Sequence, residues 1–200
     1  MEGLADEKAP GPAPSFSVFQ LLIAVELMAN KPIGRNKLAE ELEVGEGTAR
    51  TIIGRLKDAG LTAISKAGCS LTDKGLKFWK ECQSIFKKTP VGKNELTLAC
   101  CNCAVLVRNH GSSVRSGVEQ RDAAVMAGAK AATTMVFKRG RLVFPSDQRS
   151  VDKDFPKASN ELTRLLKPSE DDVIIVVSSD SQRKADYGAL AAAWTILNDN

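Results

Sequence analysis

The sequence predicts an α+β protein: an N-terminal winged helix-turn-helix followed by a C-terminal α+β sandwich, with a ferredoxin-like sheet and an extra C-terminal helix as its simplest form. Three observations predict it. Residues 34–72 (GRNKLAEELEVGEGTARTIIGRLKDAGLTAISKAGCSLT) carry two short apolar stripes at helical spacing, a glycine stop and a basic hairpin. Residues 94–200 change rhythm and alternate apolar strand-like runs with amphipathic stretches in the order β-α-β-β-α-β-α. At 43% hydrophobic and 26% charged residues, the 200-residue chain can bury a core in one large or two small domains.

Each element has a local reason. Met1–Pro14 (MEGLADEKAPGPAP) is rich in Pro, Gly and charge, which predicts a disordered tail over 1–14. Ser15 stands where an N-cap would open a helix to about Met28, with Phe16, Phe19, Leu22, Ile23 and Leu27 on one side. Leu38, Ala39 and Leu42 mark the next helix, and Val44-Gly45 breaks it. Ala49, Ile52, Ile53 and Leu56 mark a third, stopped by Gly60 in the place of a left-handed cap. Leu61–Ser65 and Cys69–Thr72 read as strands joined at Lys66-Ala67-Gly68. A helix over Lys74–Lys87 follows, then a linker to Gly92, so the first domain spans 15–89 and the second 94–200.

In the second domain, Leu96–Arg108 reads as one long strand. Ser116 is placed to cap a helix to Gly128, with Glu119 closing a capping box. Ala132–Lys138 and Leu142–Phe144 form a hairpin through Arg139-Gly140. A helix at Ala158–Leu166, an apolar strand at Val173–Val177 and an Ala-rich helix at Ser181–Asn198 complete the order.

Charge is local. The chain carries +4 with pI ≈ 8.8, yet residues 46–90 hold nine Lys or Arg against four acids. With Ala49 at the centre of the buried face, Gly47, Thr51 and Arg55 fall opposite, and Thr48 and Arg50 flank it. The expected reading residues are Thr48, Arg50, Thr51 and Arg55. Arginine can grip guanine through two hydrogen bonds, and threonine can touch a thymine methyl. Gly47 would let backbone approach a phosphate, Lys66 at the wing tip would contact phosphate or the minor groove, and Arg35 and Lys37 at the start of the first motif helix are further phosphate candidates.

The segment KLAEELEVGEGTARTIIGRLKDAGL resembles the regulator-type winged helices of prokaryotic and archaeal transcription factors. GVEQRDAAVMAGAKAATTMVFKRGRLVFP is similar to an uncharacterised archaeal family that pairs such a module with a C-terminal domain of unknown function. The resemblance spans most of residues 15–197 and implies a DNA-binding transcriptional regulator. For the second domain it implies no catalytic residue.

That domain holds one constellation of note. Arg108 to Asp122 leaves a strand, crosses a Gly/Ser loop and opens a helix, so Arg108, His110, Gly111, Arg115, Ser116, Gly117 and Arg121 are candidates for an anionic effector. The loop at 178–184 has similar character, but in a ferredoxin-like sheet the first and last strands run antiparallel and the two loops stay apart. Cys100-Cys101-Asn102-Cys103 has no CxxC spacing. Strand alternation would set Cys100 opposite Cys101 and Cys103, so the expectation is no metal and no cofactor.

No catalytic constellation stands out, so an enzyme fused to a regulatory winged helix is the alternative reading, with a winged-helix protein-interaction module as another. Five cysteines without a framework fit a reducing cytoplasm, and neither a secretory signal nor a membrane span is visible. The expected partners are double-stranded DNA and a second copy of the chain in a homodimer, since one winged helix reads few base pairs.

Overall fold

The computed structural model describes residues 16–198, so the expected tail and the Ser15 cap lie outside the described residues. The chain divides into two compact units, residues 1–83 and 84–200. The class is α+β, with an N-terminal helical region and a C-terminal sheet-and-helix domain.

The first unit begins with α1 (Val18–Asn30), α2 (Arg35–Leu42) and α3 (Glu46–Asp58), then the hairpin β1 (Thr62–Ser65) and β2 (Gly68–Leu71), then α4 (Asp73–Ile85). Helix α1 starts two residues later than expected. Ser17 is its N-cap, and the Gln20 side chain accepts the Ser17 N–H at 2.8 Å. Leu21 to Val25 and Met28 are buried, so α1 is covered around most of its girth. Helix α3 buries the expected Ala49, Ile52, Ile53 and Leu56. Gly60 follows with φ +74°, the left-handed conformation its position required. The chain ahead of α2 joins the hairpin: Ile33 N–H donates to the Cys69 carbonyl at 2.9 Å, and Cys69 N–H donates back at 2.8 Å.

Gly75 shows why α4 can lie so close to the end of α3. A methyl group there would overlap the Leu61 carbonyl oxygen, so only glycine permits the approach.

The second unit holds a five-stranded sheet: β3 (Phe86–Pro90), β4 (Cys101–Val107), β5 (Ala131–Lys138), β6 (Arg141–Val143) and β7 (Val173–Ser179). Its order is β3-β4-β7-β5-β6, with every neighbouring pair antiparallel. The helices are α5 (Val118–Met126), the short α6 (Val151–Asp154), α7 (Pro156–Leu166) and α8 (Gln182–Leu197). Ala104, Leu106, Met135, Ile174 and Val176 meet Leu162 and Leu166 of α7 on one face. The other face takes the alanines of α8, whose Gly188 lies against Val177 and Ala129.

The ferredoxin-like order is not what forms. In that arrangement the last strand would stand at an edge; here β7 is central, between β4 and β5. All seven residues of β7 are buried. A strand apolar on both faces gains most from a position where neighbours take both edges and helices cover both faces. Residues 86–90 supply a further strand where a helix end and linker were expected. Phe86 is buried beside β4, and the strand pairing runs to Pro90 opposite Cys103, with the Val91 N–H donating to the Asn102 carbonyl at 3.1 Å just beyond it. The long strand expected from Leu96 begins only at Cys101, after bends. Helix α5 is not closed by a Ser116–Glu119 capping box. Its N-cap is Gly117 at φ +82°, and Ser116 Oγ accepts only the Val118 N–H, at 3.4 Å.

Candidate nucleic-acid interface

Helix α3, the residues just before α2 and the hairpin tip enclose a groove of about 360 Å3 in the first unit. Arg35, Arg50 and Lys66 line it together with Ile64 and Ser65. The three cations are exposed. Arg50 is exposed because it flanks the buried Ala49 face of α3. Lys66 is exposed because it sits at the hairpin turn, where Ser65 Oγ donates to the Gly68 carbonyl at 3.2 Å and accepts the Ala67 N–H. Gly68, at φ +120°, closes the turn against the Ile33 carbonyl, where a side chain would collide. Ile64 remains 58% exposed, an apolar side chain held out on the hairpin side of the groove. That combination can receive a phosphate-bearing strand, with an apolar surface for sugar or thymine methyl.

The other expected reading residues have other surroundings. Arg55 is half-buried, with its guanidinium 5.1 Å from the centroid of the Phe16 ring. Thr51 Oγ1 donates to the Gly47 carbonyl at 3.1 Å, within its own helix. Gly47 and Thr51 are exposed and Thr48 is half-buried; none of them lines the groove. Part of the local basic excess is also used inside the fold. Lys74 donates to the Ala59 carbonyl at 2.8 Å. Lys87 donates to the Leu165 carbonyl at 3.1 Å, and Lys88 pairs with Asp186 at 2.9 Å. Lys37 pairs with Glu40 and Glu41 on α2, and those two carboxylates raise its pKa.

In the second unit, Arg108 is held by the buried Asp172 at 2.8 Å. The same carboxylate accepts the Asn109 and Ser169 N–H groups. His110 Nδ1 contacts the Arg108 carbonyl. Gly111 is buried, its N–H donating to the Asp171 carbonyl at 2.7 Å. Arg121 pairs with its neighbour Asp122 at 2.9 Å. Of the three arginines expected to attract an anion, two are thus neutralised. Arg115 and Ser116 are exposed, and Gly117 takes up the turn. The loop after β7 lies at the opposite end of the sheet, because Val107 faces Val173 and Cys101 faces Ser179.

Sequence reasoning missed two places. Lys138, Arg139 and Arg141 line a cleft of about 340 Å3 with Gln148. The signal was the KRGR run, read only as a turn; Arg139 and Gly140 do take positive φ there. The other is the pair Cys100 and Cys101, which share a side instead of facing apart. No helix among the described residues is long and apolar enough to cross a membrane.

Four helices with a hairpin in one unit, and an antiparallel sheet covered by helices in the other, define the class: a two-unit α+β chain with a basic groove in its first unit. The family described as "PH0730-like, N-terminal domain" matches residues 20–77, and the "Domain of unknown function (DUF4443)" matches residues 98–196. The chain is similar to the solved structure of hypothetical protein PH0730 from Pyrococcus horikoshii OT3, with 25% identity and a TM-score of 0.77, over 93% of this chain and 95% of that one. Together these matches support an uncharacterised archaeal family of PH0730-like proteins. No curated protein matches the chain.

Proposed function

We propose that the chain is a DNA-binding transcriptional regulator, with the first unit acting as a winged helix and the second as an effector or pairing domain. The observation that carries this reading is the meeting of Arg35, Arg50 and Lys66 around one groove, between the helix expected to enter the major groove and the hairpin expected to flank it. None of the three makes a salt bridge or side-chain hydrogen bond among the described residues, so their charge is available to an anion. Arg50 is the base-reading candidate. Arg35 and Lys66 hold the backbone on either side.

The test is selection of genomic fragments by the full chain against excess random duplex at near-physiological salt, followed by titration of the recovered site. Recovery of one motif that Arg50→Ala binds about 1–3 kcal/mol more weakly supports the reading. Equal affinity for every duplex, or no binding, would overturn it.

A further inference from the structure

Cys100 and Cys101 bring their sulfur atoms within 3.6 Å of each other. Adjacent residues on a regular strand point to opposite faces. The pair owes its common side to the bend at Cys100, one residue ahead of β4. Both thiols turn to one acceptor, the Asp180 carbonyl oxygen, 3.4 Å from Cys100 and 3.7 Å from Cys101. Cys100 also approaches the Ser179 carbonyl at 3.8 Å.

The acceptor is itself fixed. The Asp180 carboxylate pairs with Lys130 at 2.5 Å, and Ser179 Oγ donates to the Gly128 carbonyl at 3.2 Å. The bend before β4, the loop after β7 and the turn before β5 therefore meet at the thiols. Cys100 is exposed and Cys101 half-buried, so both are within reach of a solute. Cys103 is fully buried and takes no part.

We propose that Cys100 and Cys101 are a preorganised dithiol site for a soft, thiophilic solute of the trivalent metalloid class. Thiolate sulfur selects soft acceptors over hard cations. No group of three or more His, Cys, Asp or Glu among the described residues is placed to hold a metal ion, and zinc takes four ligands. A trivalent arsenical needs only two thiols and keeps its third substituent. With an organic arsenoxide, two S–H bonds and the arsenic–oxygen bond break, two arsenic–sulfur bonds form, and the oxygen leaves as water with both protons. Arsenic stays trivalent, so no oxidant or reductant is consumed. The inference concerns the second unit alone and does not depend on DNA binding.

The test titrates reduced full-length protein with phenylarsine oxide and counts adducts by intact mass spectrometry. One phenylarsenic group per chain is expected, resistant to a monothiol and removed by a small dithiol. Cys100→Ser and Cys101→Ser should each lose the adduct, while Cys103→Ser keeps it; circular dichroism checks that the variants are folded. Preorganisation further predicts affinity at least about tenfold above that of an unstructured peptide with the sequence of residues 98–103. An adduct that survives Cys100→Ser, or equal affinity of peptide and protein, would overturn the proposal.

Discussion

Arg50 and Arg55 lie five positions apart on α3, and the fold puts them to different uses. Arg50 lines the groove, whereas Arg55 stacks on Phe16 of the same unit. Arg50→Ala should therefore weaken DNA binding and leave thermal stability unchanged. Arg55→Ala should cost about 0.5–1 kcal/mol of stability through the lost ring contact. Melting curves and DNA titrations on both variants separate the two roles; equal effects in both assays would refute the division. Gly75→Ala is expected to cost about 3 kcal/mol or more, because the new methyl meets the Leu61 carbonyl and backbone must move. A denaturant midpoint close to that of the parent would contradict this close approach. At this scale the sequence showed which residues were charged, and the helical period set Arg55 opposite the buried face of α3 and Arg50 on its flank. It could not show that Phe16 would take Arg55, that Asp172 would take Arg108, or that a bend would gather Cys100 to Cys101. Those contacts join residues far apart in the chain, or depend on where a strand starts.

Helix α7 shows the same division at the level of elements. Its position was legible from spacing, but its start at Pro156, two residues before the expected Ala158, and its cap were not. Glu95 reaches across to accept the Ala158 N–H at 2.8 Å and the Lys157 N–H at 3.3 Å. Partial desolvation raises the Glu95 pKa, but these backbone N–H groups outweigh it and hold the carboxyl below the ordinary glutamate value. A carboxylate depressed in the folded state stabilises above its unfolded pKa, and that contribution is lost as pH falls through the folded value. Thermal stability should thus drop as pH falls below about 4.3, and Glu95→Gln should flatten that part of the profile. An unchanged pH profile in the variant would count against the cap. Strand β3 was hidden because Phe86 continues the apolar stripe of α4 and the Lys, Thr and Pro after it read as a linker; only pairing with β4 turns them into strand. The central place of β7 was hinted at by its unbroken apolar run, but the sheet order needed the packing of α7 and α8 to decide it.

For the molecule as a whole, the proposed function makes a salt-dependent prediction. Each phosphate neutralised contributes a slope of about −0.9 in log K against log salt, so Lys66→Ala should reduce the slope by about one. A slope identical to the parent would remove Lys66 from the interface. If the chain reads a two-fold site, sedimentation should show a dimer and the selected motif should be a palindrome. A monomer on a single half-site would restrict the second unit to an effector role. A change of rhythm in the sequence marks two units, but it set the first to end at residue 89, whereas β3 (Phe86–Pro90) belongs to the sheet of the second. The surface that would join two copies was not legible, since pairing depends on shape and no local pattern marks it.

The margins of the sheet narrow that choice. One outer strand, β3, carries Lys87 and Lys88, tied to α7 and α8 respectively, and ends in Pro90, which has no N–H to offer a newcomer. The other, β6, is three residues long and begins with the exposed Arg141. Both rims thus resist adding a strand from outside. This blocks the easiest route to fibrillar aggregation and makes sheet-to-sheet continuation a poor way for two copies to associate. Any self-association through this unit must use its helices or loops instead.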